Sequence, residues 1–106
     1  MGQFDDRQKG FEDKYAHDTE LQFKVGARRN KLLGLWAAEL LGLKGDAATA
    51  YAKAVIESDF EQAGDEDVFR KVMGDLKAKA IDMSDHRLRK RMEELLVEAR
   101  NQLMKE

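Results

Sequence analysis

The sequence predicts an all-α protein: an antiparallel four-helix bundle over residues 19–106, preceded by a flexible N-terminal arm over residues 1–18. Three observations carry this reading. Apolar residues recur every three or four positions, and no useful length of chain alternates with the period of two that a half-buried strand requires. Proline is absent, so no helix is interrupted by a missing backbone donor. The stretches between periodic segments are short and carry glycines or capping residues, which makes successive helices antiparallel neighbours.

The arm holds Phe4, Phe11 and Tyr15 in a segment otherwise dense with charge. Their spacing puts the three rings on one stripe of a helix. Gly10 sits between them and lowers helix propensity by roughly 1 kcal/mol, and a helix this short is marginal without tertiary packing. The pattern describes an amphipathic element that orders on a partner, or else a helix that packs on the rest of the domain.

Thr19, with Gln22 three residues on, has the spacing of a capping box and marks the expected start of the first helix. Leu21, Val25, Leu32, Trp36, Leu40 and Leu43 follow on one face, widened by Leu33 and Ala37, with Gly42 and Gly45 as the stop. At 1.5 Å per residue this helix is roughly 36 Å long, so its first turns overhang the shorter second and third helices. Arg29 lies within about 20° of Trp36 around the axis and interrupts the stripe. A buried unpaired arginine is prohibitive, so either that end of the helix is exposed or Arg29 meets a carboxylate.

Asp46 is the expected cap of the second helix, whose face is Ala48, Tyr51, Ala52, Val55, Ile56 and Phe60, ending at Gly64. Asp65 caps the third, with Glu66 and Asp67 favoured by the helix dipole and Val68, Phe69, Val72, Met73, Leu76 and Ala80 as its apolar positions. The fourth begins at Ser84, with Met83 and Leu88 placed as a hydrophobic staple, and continues its stripe through Met92, Leu95, Leu96, Ala99 and Leu103. The core is expected around Trp36, Tyr51, Phe60 and Phe69.

At 106 residues and 42% hydrophobic content the chain builds one core, not two. Without cysteine it has no disulfide, thiolate metal site or cysteine nucleophile. The N-terminus lacks the basic start and apolar run of a signal peptide, and the longest uncharged run, Leu32 to Ala38, is far short of a membrane span. The expected location is cytoplasmic. A net charge of −2 lacks the basic excess that nucleic-acid binding needs.

Signals for catalysis are missing. His17 and His86 are far apart, without zinc-site spacing, and Asp65-Glu66-Asp67 lacks the ligand pattern of a calcium loop. No glycine-flanked serine or glycine-rich phosphate loop occurs. Two basic clusters remain. Arg28, Arg29 and Lys31 are a candidate anion site, with an adenine nucleotide as its possible ligand. Arg87, Arg89, Lys90 and Arg91 open the fourth helix against its dipole, with Asp82, Asp85, Glu93 and Glu94 at hand to compensate.

Phe4-Asp5-Asp6-Arg7, Phe11-Glu12, Lys14-Tyr15-Ala16-His17-Asp18, and above all Ala27-Arg28-Arg29-Asn30-Lys31-Leu32-Leu33-Gly34-Leu35-Trp36-Ala37-Ala38-Glu39 resemble the zeta-type inhibitor subunit of bacterial F-type ATP synthases. The likeness extends through Tyr51-Ala52, Asp59-Phe60, Gly64-Asp65-Glu66-Asp67-Val68 and Arg70-Lys71-Val72, weakening after Ala80. Neither composition nor helical periodicity dictates a block such as Arg-Arg-Asn-Lys-Leu-Leu-Gly-Leu-Trp. The resemblance implies a four-helix inhibitor, not an enzyme and without a cofactor or metal, that is monomeric when free and binds the catalytic head of the membrane-bound synthase from the cytoplasmic side. Its arm, here Phe4, Asp5, Asp6, Arg7, Phe11, Lys14, Tyr15 and His17, would enter a subunit interface, become helical and block ATP hydrolysis. Gly10 at the centre of the arm and Gly26 near the start of the first helix each lower helix propensity where the resemblance implies helix. The competing reading is a small anion- or nucleotide-responsive regulatory bundle using Arg28, Arg29 and Lys31.

Overall fold

The computed structural model describes residues 2–59 and 65–105, with residues 2–19 described by their backbone alone. Among them are four helices, α1 Gly2–Leu40, α2 Asp46–Glu57, α3 Glu66–Ala78 and α4 Asp85–Met104, and no strand. They form the expected four-helix bundle. α1 is its spine, packing most extensively on α2 and α4, with α3 completing the core. The pairings Asn30 to Asp59 and Arg28 to Gln102 set α2 and α4 antiparallel to α1.

α1 does not begin at Thr19 but runs from Gly2. Nothing between the arm and the bundle breaks a helix: the junction has no proline, and Ala16, Glu20 and Leu21 are good helix formers. A capping-box spacing is therefore also a sequence that a helix can pass through. The aromatic stripe of Phe4, Phe11 and Tyr15 and the expected mobility of the arm lie outside the described side chains; Phe60 and Gly64, expected to complete the second helix, lie outside the described residues, and α2 ends at Glu57.

The other end of α1 closes as a Schellman motif. Gly42 adopts φ 78°, the Leu43 amide donates to the Ala38 carbonyl at 2.8 Å, and the Gly42 amide donates to that of Glu39 at 3.1 Å. This places the helix end at Leu40, three residues before the expected Leu43. α3 ends in the same way with a less suitable residue. Ala80, expected on its apolar face, instead sits exposed at φ 57°, with the Ile81 amide donating to the Leu76 carbonyl at 2.9 Å. α2 starts from Gly45, so Asp46 is its first helical residue and not its cap. α4 follows expectation: Ser84 Oγ accepts from the Arg87 amide at 3.1 Å, and Met83 and Leu88 are both buried.

The core is aliphatic at its centre. Leu33, Val55, Val68, Val72, Leu76 and Leu88 are fully buried, and Phe69 nearly so. Trp36 and Tyr51, expected at the centre, are half-buried and pack on its edge. Their polar and π faces explain the position: the Trp36 ring lies 5.6 Å from the Arg91 guanidinium, and the Tyr51 hydroxyl donates to Asp75 at 2.7 Å.

The α1–α2 crossing turns on Gly34. A Cβ placed there would lie 2.5 Å from the Ala52 Cα and 3.1 Å from its Cβ. Only a residue without a side chain admits that approach. Gly34→Ala is therefore expected to destabilise the bundle by about 1–3 kcal/mol through overpacking. Ala80→Gly, which relieves a left-handed backbone, is expected to raise stability by roughly 1 kcal/mol. Thermal melts followed by helical circular dichroism should move in opposite directions for the two variants.

Candidate functional site

α1 presents two sets of candidate residues in one continuous helix. Phe4, Asp5, Asp6, Arg7, Phe11, Lys14, Tyr15 and His17 fall in its N-terminal part, where the backbone is helical and the side chains lie outside the described residues. Arg28, Arg29 and Lys31 fall where α1 joins the bundle. Between the two sets, Glu20, Gln22, Phe23 and Lys24 are exposed, and Val25 is the first buried residue among the described side chains.

Arg29 is 3% exposed, and it meets a carboxylate. Its Nη2 lies 2.7 Å from Asp65 Oδ1, and its Nε donates to Asn30 Oδ1 at 2.8 Å. Asn30, 1% exposed, donates from Nδ2 to Asp59 Oδ2 at 3.1 Å. Two adjacent residues of α1 thereby hold Asp59 and Asp65, the residues at either end of the α2–α3 connection. Asp65 occupies the cap position of α3 as expected, but its side chain makes no capping hydrogen bond and serves Arg29 instead. Burial of Asn30 was not foreseen. The sequence signal for it was position, since Asn30 lies seven residues before Ala37 and within about 20° of it around the helix.

The other two cations of this cluster go elsewhere. Arg28 Nη1 donates to Gln102 Oε1 on α4 at 3.0 Å, and Gln102 in turn donates to Glu98 at 3.2 Å. Lys31 is exposed. Arg28 thus reaches α4, while Arg29 reaches the start of α3.

The basic start of α4 is compensated largely from another helix. Arg89 reaches both carboxylate oxygens of Glu66 on α3, at 3.0 and 3.2 Å, with its guanidinium 4.0 Å from the Phe69 ring centre. Arg91 pairs with Glu94 at 3.6 Å. Of the compensating acids expected from sequence, Glu94 has this role; Glu66, 23 residues from its partner, carried no local signal.

A third polar tie joins α2 to α3. Asp75 Oδ2 accepts from the Tyr51 hydroxyl at 2.7 Å and lies 2.9 Å from Lys71 Nζ. Burial first, then hydrogen bonding and the charge of Asp75, hold the Tyr51 phenol well above its ordinary value. Among the described residues no group of acids and histidines can hold a metal, and no helix is long and apolar enough to cross a membrane.

The model of the ATPase inhibitor subunit zeta family matches residues 1–102. The chain belongs to the ATPase inhibitor subunit zeta family. A protein with a solved solution NMR structure is similar to it, at 53% identity and a TM-score of 0.71, the match covering 80% of this chain and 96% of that one. Comparison with curated proteins finds no match. Membership in a family of inhibitor subunits is a regulatory assignment.

The block Arg28 to Trp36 that carries the family likeness is also the structural hub of the zeta-family bundle described here. Arg29 and Asn30 hold the α2–α3 connection, Leu33 is fully buried, and Gly34 admits α2. The most distinctive residues of the sequence therefore define the scaffold.

Asp65→Ala leaves the buried Arg29 guanidinium without its carboxylate and is expected to cost about 2–3 kcal/mol, at the lower end for buried pairs because Asp65 is half exposed. Arg29→Met, which removes the charge and keeps an apolar stem, should cost less; urea denaturation of both variants tests the order. Tyr51 contributes a separate pH dependence. Its raised value gives stability that is fully present below the unfolded phenol's pKa, about 10, and is lost as pH rises towards the folded one. Tyr51→Phe should therefore show a smaller loss of stability above about pH 10 than the parent chain, measured by urea denaturation across that range.

Proposed function

We propose that this protein inhibits ATP hydrolysis by the F-type ATP synthase by inserting its N-terminal arm into the catalytic head. The observation that supports this most directly is the continuity of α1. Val25 is the last residue toward its N-terminus that the bundle buries among the described side chains, while the helix extends back to Gly2. That extension, ahead of Val25, is roughly 35 Å of helix at 1.5 Å per residue, enough to reach deep between two subunits.

The sequence of the extension suits this task. Phe4, Phe11 and Tyr15 form an apolar stripe for a partner groove, while Asp5, Asp6, Arg7, Lys14 and His17 supply polar contacts around it. Insertion between subunits that must move relative to one another stops the hydrolytic cycle mechanically, with no chemistry required of the inhibitor. The bundle holds the base of the arm through the close α1–α2 packing and the Arg29 tie. In this reading the protein acts in the cytoplasm as a monomer, associated with the membrane only through the synthase.

The test is ATP hydrolysis by purified catalytic heads from the protein's own source, titrated with the full chain. Deleting the residues before His17 should abolish inhibition while leaving the melting temperature nearly unchanged. Phe11→Ala should weaken inhibition by about 2 kcal/mol, as expected for an aromatic anchor. Inhibition that survives the deletion would place the inhibitory element in the bundle.

A further inference from the structure

We propose that Phe23 is a second anchor for the catalytic head, seated on its rim where α1 leaves the bundle; this inference rests on the arm reading above. Phe23 is 81% exposed, more than any other large hydrophobic residue among the described side chains. Its place on the helix makes that exposure informative. Seven residues before Asn30 and eleven before Gly34, it lies within about 20° of both around the α1 axis. That is the line on which α1 receives α2 and its following connection, through Gly34 against Ala52 and Asn30 against Asp59. Phe23 continues this packing line beyond the point where α2 ends, and the ring stands in solvent.

The occupant follows from continuity. Phe23 and Tyr15 belong to one unbroken helix and are about 12 Å apart along it, so a partner that takes the arm is brought against the turn holding Phe23. Of the exposed residues in that turn, Glu20, Gln22 and Lys24 are polar, leaving a single aromatic within a charged surround. Such an arrangement fits an anchor whose pocket is apolar and whose rim is polar. A second copy of this chain is the poorer occupant. One phenylalanine buries about 150–250 Å², whereas a stable specific interface buries about 1,200–2,000 Å². Added to an interface that the arm already makes, the same ring has a large effect.

The experiment compares wild type, Phe23→Ala and Phe11→Ala as full chains in the hydrolysis assay with purified heads, alongside melting curves and sedimentation of each free protein. Phe23→Ala is expected to raise the half-inhibitory concentration roughly 10-fold or more, with an unchanged melting temperature and no change in mass. If Phe23→Ala inhibits as wild type does while Phe11→Ala is weakened, Phe23 is no anchor and the arm reading stands. If wild type fails to inhibit, the arm reading and this inference fall together. A lowered melting temperature for Phe23→Ala would show the ring covered by its own bundle. Self-association of the wild type that Phe23→Ala removes would make a second copy its occupant. Either of these last results overturns the proposal.

Discussion

The close approach of α2 to α1 at Gly34 is the constraint from which the remaining geometry follows. With the Ala52 backbone filling the space of a side chain, the two helices meet at a distance that ordinary residues forbid. One turn further along, this brings Asp59 within reach of Asn30. The chain must then reverse into α3 close to α1, and Asp65 arrives where Arg29 can meet it. Core side chains of modest size, Leu33, Val55, Val68, Val72, Leu76 and Leu88, fill what this tight crossing leaves. The larger Trp36 and Tyr51 are displaced to the edge, where their polar faces find Arg91 and Asp75.

The Arg29 tie does a different job from the apolar core. An ion pair with one buried partner adds little net stability, because desolvation of the guanidinium opposes the attraction. What it supplies here is registry. Arg29 and Asn30 are adjacent on α1 and hold the two ends of one connection, so a slide of α1 relative to α2 and α3 would leave a guanidinium and an amide buried without partners. The penalty for misalignment is larger than the gain from alignment. That asymmetry suits a helix whose other half is proposed to bear load, since any displacement at the arm is transmitted along α1 to this point.

One helix thus serves two tasks. From Val25 onward its buried face is fixed by helices that the chain itself provides. Ahead of that residue the same helix presents an aromatic in solvent at Phe23, and the sequence places a further aromatic stripe in the arm. The mechanical inhibition we propose needs this division: a base that does not yield and a projection whose contacts are completed by its target. Three arginines belong to the base. Arg29 serves the α2–α3 connection, Arg28 contacts Gln102, and Arg89 bridges to Glu66 while covering Phe69.

By itself the sequence determined what is local. Helical periodicity, the absence of proline, the Ser84 cap with its Met83 and Leu88 staple, and the stop at Gly42 all act within a few residues, and all were legible before the fold was known. For Arg29 the sequence left two outcomes, an exposed helix end or a carboxylate partner, because burial of an unpaired charge is too costly to occur. Family likeness was legible as well, in the block from Arg28 to Trp36. The tertiary structure decided what depends on which distant residues become neighbours: that the carboxylate is Asp65, that Asn30 is buried, that Glu66 answers Arg89, and that Trp36 lies at the edge of the core. It also decided that α1 continues through Thr19, since a capping pattern is permissive and the backbone takes the longer helix when nothing interrupts it. Local pattern specifies an element and its exposed or buried face. Which partner that face meets is set by the crossing at Gly34, whose missing side chain acts only when Ala52 arrives beside it.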